Sequence, residues 1–487
     1  MSTKTETQKI ISLLVQKHPL FCRKNDLDQL FYQHFAIYLG FVIMGVAQTL
    51  PWSCFTNTYG YFMYKLSDNQ TMHKYGDTYD KNFYQIFWTS FLGLTINLVQ
   101  LASGILNLLA SNKLSVNMRI YPTLLITSCC FVVTAGMTIY DTSASESGKT
   151  IFFVVNLMCA FVSQFGAGVA QGGLFGVAAT FPKRYLGALF FGESVAGDFA
   201  TLLAIAAIGI YTKTENRYEE SHPNYNDPEA LFTVVYYEKS SLMYFLIAAI
   251  VAVITLPIFY FLYNKSSENG KGLTISENDL VIDNEEMTIK SLWADVKFTM
   301  KTTTYQSVTI IILFWTTIAV FPAVLQNADS ECYKQNEAGS LSDSSYCRNF
   351  GRTDYFVPVM VFFMVNFSDS VGRYIGNAWQ FIKPNQGKLL LGLSFSRIIL
   401  AGLFYLTRAG VEDDGISFFG SDACFGVMAV LLGSTNGYLS SACFLHVPEI
   451  VQGKKAEIAG SILPILLSIG LTLGSLTSFA TVLAVHS

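Results

Sequence analysis

Eleven stretches of this chain are long and apolar enough to cross a bilayer, and that repetition decides the fold class before any single residue is considered. They fall near 36–60, 84–110, 120–140, 151–179, 186–211, 241–263, 305–326, 354–381, 389–407, 422–446 and 457–484. A hydrocarbon core about 30 Å thick is spanned by roughly 20 apolar residues of helix, and helices satisfy all their own backbone groups inside it. Charged residues make up 14% of the chain and hydrophobic ones 51%, against about 25% charged in ordinary soluble proteins. The expectation is an all-α polytopic membrane protein with eleven transmembrane helices.

Lys and Arg set the expected orientation. With the N-terminus inside, the inner segments hold 18 of the 31 basic residues, and every short inner loop is basic (Lys113 and Arg119; Lys183 and Arg184; Lys383 and Lys388; Lys454 and Lys455). The N-terminus is therefore expected in the cytosol and the C-terminus outside. The first 34 residues are polar and contain no apolar core before a cleavage site, which leaves the first span as the expected signal anchor. The longest inner linker separates six spans from five. The expected plan is a cytosolic segment 1–34, a lobe 35–263, a cytosolic linker 264–304 and a second lobe 305–487. At the end of that linker Ile289, Leu292, Trp293, Val296 and Met300 recur at helical spacing. This suits either a helix lying at the inner membrane surface or a plain extension of the seventh span.

Three outer loops are long: 61–83, 212–240 and 327–353. The first contains Asn69-Gln70-Thr71, an expected glycosylation site; Asn264 and Asn366 match the same pattern but fall in a cytosolic and an intramembrane place. Cys332 and Cys347 share the third loop on the oxidising side, so a disulfide between them is expected. The other seven cysteines lie in spans or inside. A net charge of −4 without a basic tract argues against a nucleic-acid partner. Zinc-like Cys/His spacing is absent, and neither metal nor cofactor is expected. His34, His73 and His446 stand apart from any nucleophile-and-acid set, which argues against an enzyme.

Charge inside the spans is the functional signal, because ionised groups at membrane depth are costly and persist where they pair or line a watery path. Asn366, Asp369 and Arg373 sit in the eighth run, within roughly 60° of one another on a helix with ~100° per residue. Asp369 and Arg373 can pair at i,i+4, either docking one helix on another or forming a polar patch in a translocation cavity. The first run carries Gln48-Thr49-Leu50-Pro51-Trp52, where the proline is expected to kink the helix and Trp52 is either core or a stacking surface. The fourth run has Gly168, Gly172 and Gly176 at the spacing of close helix packing, with Gln171 beside them offering amide donors and an acceptor. The fifth has Glu193 and Asp198, ~140° apart on a helix. One suits a proton or cation site; the other suits pairing with a base near the inner end or with Arg397.

Taken in order, TLPW at 49–52, GVAQGGLFG at 168–176, FPKRYLGALFFGESVAG at 181–197, FPAV at 321–324, NFSDSVGR at 366–373, TNGYLSS at 435–441 and AEIAGSIL at 456–463 resemble the equilibrative nucleoside transporters. The resemblance covers the chain from about residue 36 to 484. It implies a major-facilitator-like bundle of six and five helices that carries nucleosides, with nucleobases as a further cargo, between its lobes by alternating access at the plasma membrane. It further implies that Trp52 lies near the base, that Gln171 hydrogen-bonds it, and that Asp369 and Arg373 hold the ribose hydroxyls. Asn366, Phe362, Phe321 and Leu471 are implied as cavity-lining residues. A flat base and vicinal hydroxyls independently call for an aromatic or apolar wall and a desolvated carboxylate.

Position 193 departs from the pattern: nucleoside carriers resembling this chain have Gln there, and a branch carrying organic cations has Glu. Asp198 is also outside the usual pattern. The competing expectations are therefore a nucleoside carrier, facilitative or proton-assisted, and a polyspecific organic-cation carrier of the same fold. A membrane receptor would need a signalling face, and the only sizeable inner segment is a short acidic linker.

Overall fold

Apolar runs of this length have one way to bury their backbone polarity, and the computed structural model shows each of them as helix. It describes residues 24–68, 70, 81–110, 116–143, 145–216, 231–268, 289–328, 330, 355–407, 421–451 and 455–485. The expected Asn69 glycan and Cys332–Cys347 disulfide lie outside the described residues, as do residues 1–23.

The helices are α1 (Lys24–Asn57), α2 (Tyr59–Leu66), α3 (Phe83–Ala110), α4 (Val116–Gly136), α5 (Glu146–Thr180), α6 (Lys183–Ile210) and α7 (Tyr237–Glu268). They continue as α8 (Ile289–Thr302), α9 (Thr304–Val320), α10 (Met364–Ala378), α11 (Gly387–Phe404), α12 (Asp422–Ile450) and α13 (Lys455–Val485). Among the described residues nine helices are long and apolar enough to cross a membrane, and ten if α8 and α9 count as one bent span. The expected count of eleven is thus not reached on length and apolarity alone. The missing candidate, 354–381, is divided: a π-helical stretch Val357–Phe363 runs into the 15-residue α10, which carries Asp369 and Arg373.

Three further details add to the expectation. Helix α1 begins at Lys24 and runs through Pro51 to Asn57, and a second helix starts after Thr58. Loop 212–240 contains an antiparallel pair, β1 (Thr212–Asn216) with β2 (Leu231–Val235), in the register Thr212 to Val235 and Asn216 to Leu231. Its Thr, Phe and Val residues favour strands. Finally, α8 and α9 meet at 83°, which selects the angled helix over the straight extension of the seventh span. Leu292 is buried, and Val296 and Met300 pack on the neighbouring core, while Trp293 stays 59% exposed.

Buried apolar side chains form three clusters. One draws only on Leu50 to Ala252, another only on Val320 to Leu432, and the third mixes both halves, from Phe41 to Leu467. Glycines bring several helix pairs into backbone contact, α13 with α5 (Gly460 on the Phe175 oxygen) and α13 with α9 (Gly470 on the Ile311 oxygen) among them. A Cβ on Gly45 would overlap the Leu189 carbonyl oxygen, and one on Gly192 the Val42 carbonyl oxygen, so α1 and α6 touch directly. Gly433 and Gly437 stand in the same relation to the Val365 and Asp369 oxygens, and Gly372 to the Ser434 oxygen, which joins α10 to α12. The Gly168, Gly172 and Gly176 series does pack helices as expected, the first two against Ser103 and Asn107 of α3 and the third against Ser461 of α13.

Candidate functional site

Helix geometry puts Asp369 and Arg373 on one face of α10, and the guanidinium Nε donates to Asp369 Oδ2 at 2.8 Å. The same guanidinium reaches out of its own helix. Nη1 donates to the Phe190 carbonyl at 2.7 Å and lies 3.4 Å from Glu193 Oε2, both on α6. Its carbon sits 3.9 Å over the Phe190 ring, and that ring stacks on Phe444 of α12 at 4.0 Å. Planar guanidinium groups suit this double duty of forked hydrogen bonding and aromatic stacking.

Glu193 collects donors from two further helices. Gln171 Nε2 of α5 donates to its Oε1 at 2.6 Å and Gln48 Nε2 of α1 at 2.9 Å. Behind Gln171, Gln100 Nε2 of α3 donates to the Gln171 oxygen at 2.8 Å, and Gln164 Nε2 to the Gln100 oxygen at 3.0 Å. On the other side Asn436 Nδ2 of α12 donates to Asp369 Oδ1 at 2.7 Å, and Thr317 of α9 donates to Asn436 at 2.9 Å. Arg397 of α11 completes the chain, donating to Thr317 at 2.6 Å, to the Leu432 carbonyl at 2.9 Å and to Thr435. One hydrogen-bonded network therefore runs through α1, α3, α5, α6, α10, α12, α9 and α11. Every one of its charged groups is less than 9% exposed. Glu193, Asp369 and Arg373 offset the cost of burial by pairing, whereas Arg397 is held by neutral oxygens with its Nε unpartnered.

The expected residues separate into groups. Gln171, Glu193, Asp369 and Arg373 come together as above. Asp198 does not pair with Arg397, whose contacts are neutral oxygens; its Oδ2 accepts from Ser370 of α10 at 2.5 Å while Oδ1 has no partner. Asn366 donates to Thr201 at 3.0 Å, and Thr201 to Asn57 at 2.6 Å, forming a smaller bridge between α10, α6 and α1. Phe321 and Phe362 meet edge to face at 5.6 Å within the second-half cluster. Leu471 packs elsewhere, on the mixed cluster.

Trp52 is half-buried and lines a narrow cavity between α1, α3, α13 and the segment after α9, bordered also by Thr56, Ser90, Pro322, Ser475 and Ser478. The Ser90 and Ser478 hydroxyls are buried there without partners. In this conformation the space is about the size of one water molecule, with an indole and several hydroxyls at its border.

Sequence reasoning missed Gln48, Gln100, Gln164 and Asn436 as members of the network. Gln48 stands one turn before Trp52, and the other three are isolated amides inside apolar runs; each was a polar residue at membrane depth, which is the available signal.

A family model described as "Nucleoside transporter" matches residues 157–483. The chain is 24% identical over 455 residues to equilibrative nucleoside transporter 3 of Rattus norvegicus, covering 90% of this chain and 87% of that one. It is likewise 24% identical over 485 residues to equilibrative nucleoside transporter 1 of Homo sapiens, covering 91% and 96%. Among solved structures, the human organic anion transporter MFSD10 (TETRAN) aligns with a TM-score of 0.48 at 11% identity, covering 92% of this chain and 91% of that one. The family match takes in well over half of the 487 residues, and the chain belongs to the nucleoside transporter family.

Proposed function

We propose that this chain carries nucleosides across a membrane by alternating access, with the cargo bound between a lobe formed by α1 to α7 and a lobe formed by α9 to α13. The observation that carries the reading is the buried ion cluster Glu193–Arg373–Asp369, which ties α6 to α10 and is held by amides from both halves of the chain. Asp369 offers the desolvated carboxylate that ribose hydroxyls require, Arg373 fixes it, and Trp52 and Gln171 serve the base. Phe321, Phe362, Asn366 and Leu471 complete the wall in this reading. The division into lobes is supported by apolar clusters drawn from one half of the chain each. The protein sits in the lipid bilayer of the plasma membrane with its N-terminus cytosolic and its C-terminus outside, in keeping with the basic inner loops.

A second reading has its own observation. Two carboxylates, Glu193 and Asp369, share one guanidinium, so the cluster carries one excess negative charge when both are ionised. A co-transported proton or a cationic cargo would neutralise it. The same observation weakens the purely cationic version, since Glu193 already has Arg373 as counter-charge.

Uptake of labelled adenosine and of a labelled monoamine into transporter-deficient cells expressing the chain, at neutral and mildly acidic outside pH, separates these readings. Saturable adenosine uptake is expected. Acid stimulation that disappears in Glu193→Gln would establish proton coupling, and monoamine uptake without adenosine uptake would overturn the nucleoside reading.

A further inference from the structure

Gln48, Trp52 and Thr56 follow at four-residue intervals on α1 and so share one face. Trp52 and Thr56 line the narrow cavity, and Gln48 stands one turn deeper along the same face. Its amide is 4% exposed and half satisfied: Nε2 donates to Glu193 Oε1 at 2.9 Å, while Oε1 is buried without any partner. Turning the amide round would set its oxygen against a carboxylate oxygen, and an ionised carboxylate only accepts. The orphan is therefore fixed as an acceptor by Glu193.

Gln171 is oriented by the same group. Its Nε2 is committed to Glu193 Oε1 at 2.6 Å and its oxygen accepts from Gln100 at 2.8 Å, so that amide is held at both ends. Gln48 has no such second partner. A buried carbonyl oxygen is costly to leave bare, and this one belongs to the residue one helical turn before Trp52, which lines the hydroxyl-bordered cavity.

We propose that Gln48 is a substrate-binding residue, its carbonyl oxygen accepting a hydrogen bond from an exocyclic amino group of the nucleobase, and that Glu193 is the positioning residue that holds the amide in this sense. The inference rests on the nucleoside reading given above. It assigns this carrier a preference for bases bearing an amino group on the edge that meets α1, with adenine as the type.

Adenosine and purine riboside differ only in the 6-amino group, and their competition for uptake isolates that donor. The chain is expected to prefer adenosine about fivefold, the usual worth of one neutral hydrogen bond. In Gln48→Met, matched for surface abundance by biotinylation, adenosine is expected to lose more than purine riboside, bringing the ratio close to one. Glu193→Gln places a group there that can donate as well as accept, frees the Gln48 amide to turn, and is expected to lower the ratio too. An unchanged ratio in Gln48→Met overturns the proposal, because the oxygen is then satisfied by water. Should Gln48→Met transport neither compound, the ratio in Glu193→Gln decides: reduced supports the proposal, unchanged overturns it. Absence of saturable uptake of either nucleoside by the unaltered chain at the cell surface would overturn the carrier reading itself, an outcome distinct from uptake without preference.

Discussion

Glu193 Oε2 lies 3.4 Å from Arg373 Nη1, and through this contact α6 and α10 share a buried charge cluster although the two residues are 180 apart in sequence. Asp369 takes the other edge of the guanidinium at 2.8 Å. Removing the cation leaves two carboxylates facing each other in a dry site.

Arg373→Ala and Asp369→Ala are therefore expected to abolish uptake, because breaking a buried pair on one side costs about 3–5 kcal/mol. Arg373→Lys is expected to lose most activity as well, since an ammonium cannot reach Asp369, the Phe190 carbonyl and Glu193 together or stack on the Phe190 ring. Uptake divided by surface abundance is the measurement. Wild-type uptake by any of the three would show that the cluster only docks helices.

Gly192→Ala and Gly437→Ala are expected to lower the thermal stability of the detergent-solubilised protein, because each new Cβ overlaps a carbonyl oxygen of the facing helix, an overpacking cost of about 1–3 kcal/mol or more. Gly392→Ala is the control. A Cβ there meets nothing within 4 Å, and the helix gains up to about 1 kcal/mol from losing a glycine.

Lys183 at the start of α6 and Glu449 near the end of α12 form an exposed pair at 3.5 Å. If the two halves part during transport, the double substitution Lys183→Cys with Glu449→Cys should lose uptake when bridged by a short thiol cross-linker and regain it on reduction. Single substitutions treated alike should not respond. Full uptake in the bridged protein would exclude separation of the halves at this point.

Asn69 is expected to carry the glycan. Glycosidase treatment should sharpen and shift the band of the expressed protein, and Asn69→Gln should remove the shift while an N-terminal epitope stays inaccessible until cells are permeabilised. A glycan retained in Asn69→Gln would assign the sugar to another site and reopen the orientation.

Spacing within one helix was readable from the chain. Asp369 and Arg373 pair as their four-residue interval requires, and the Gly168, Gly172 and Gly176 series packs helices as its interval requires. Hydropathy likewise located nine of the eleven expected spans to within a few residues. Partners on other helices were not readable, because nothing in the local pattern distinguishes the four helices that converge on Glu193 and Asp369 from the rest. Asp198 shows the limit: its charge drew attention to Arg397, whereas the fold gives it the hydroxyl of Ser370. The angle between α8 and α9 was equally hidden, since the same apolar stripe fits a straight helix or one turned by 83°.

The glycine contacts divide the molecule mechanically. Where α1 meets α6 and α10 meets α12, main chain lies against main chain, and such seams resist sliding because no side chain can reorient to accommodate it. Where α6 faces α10 the glycines meet side chains instead, Gly187 against Asn377 and Gly197 against Asn366. Amides and guanidinium groups can exchange partners while a welded backbone cannot, so the boundary that holds Glu193 and Arg373 is the more yielding side of α6 and α10, whereas α5 and α13 are also joined through main chain at Gly460 and Phe175.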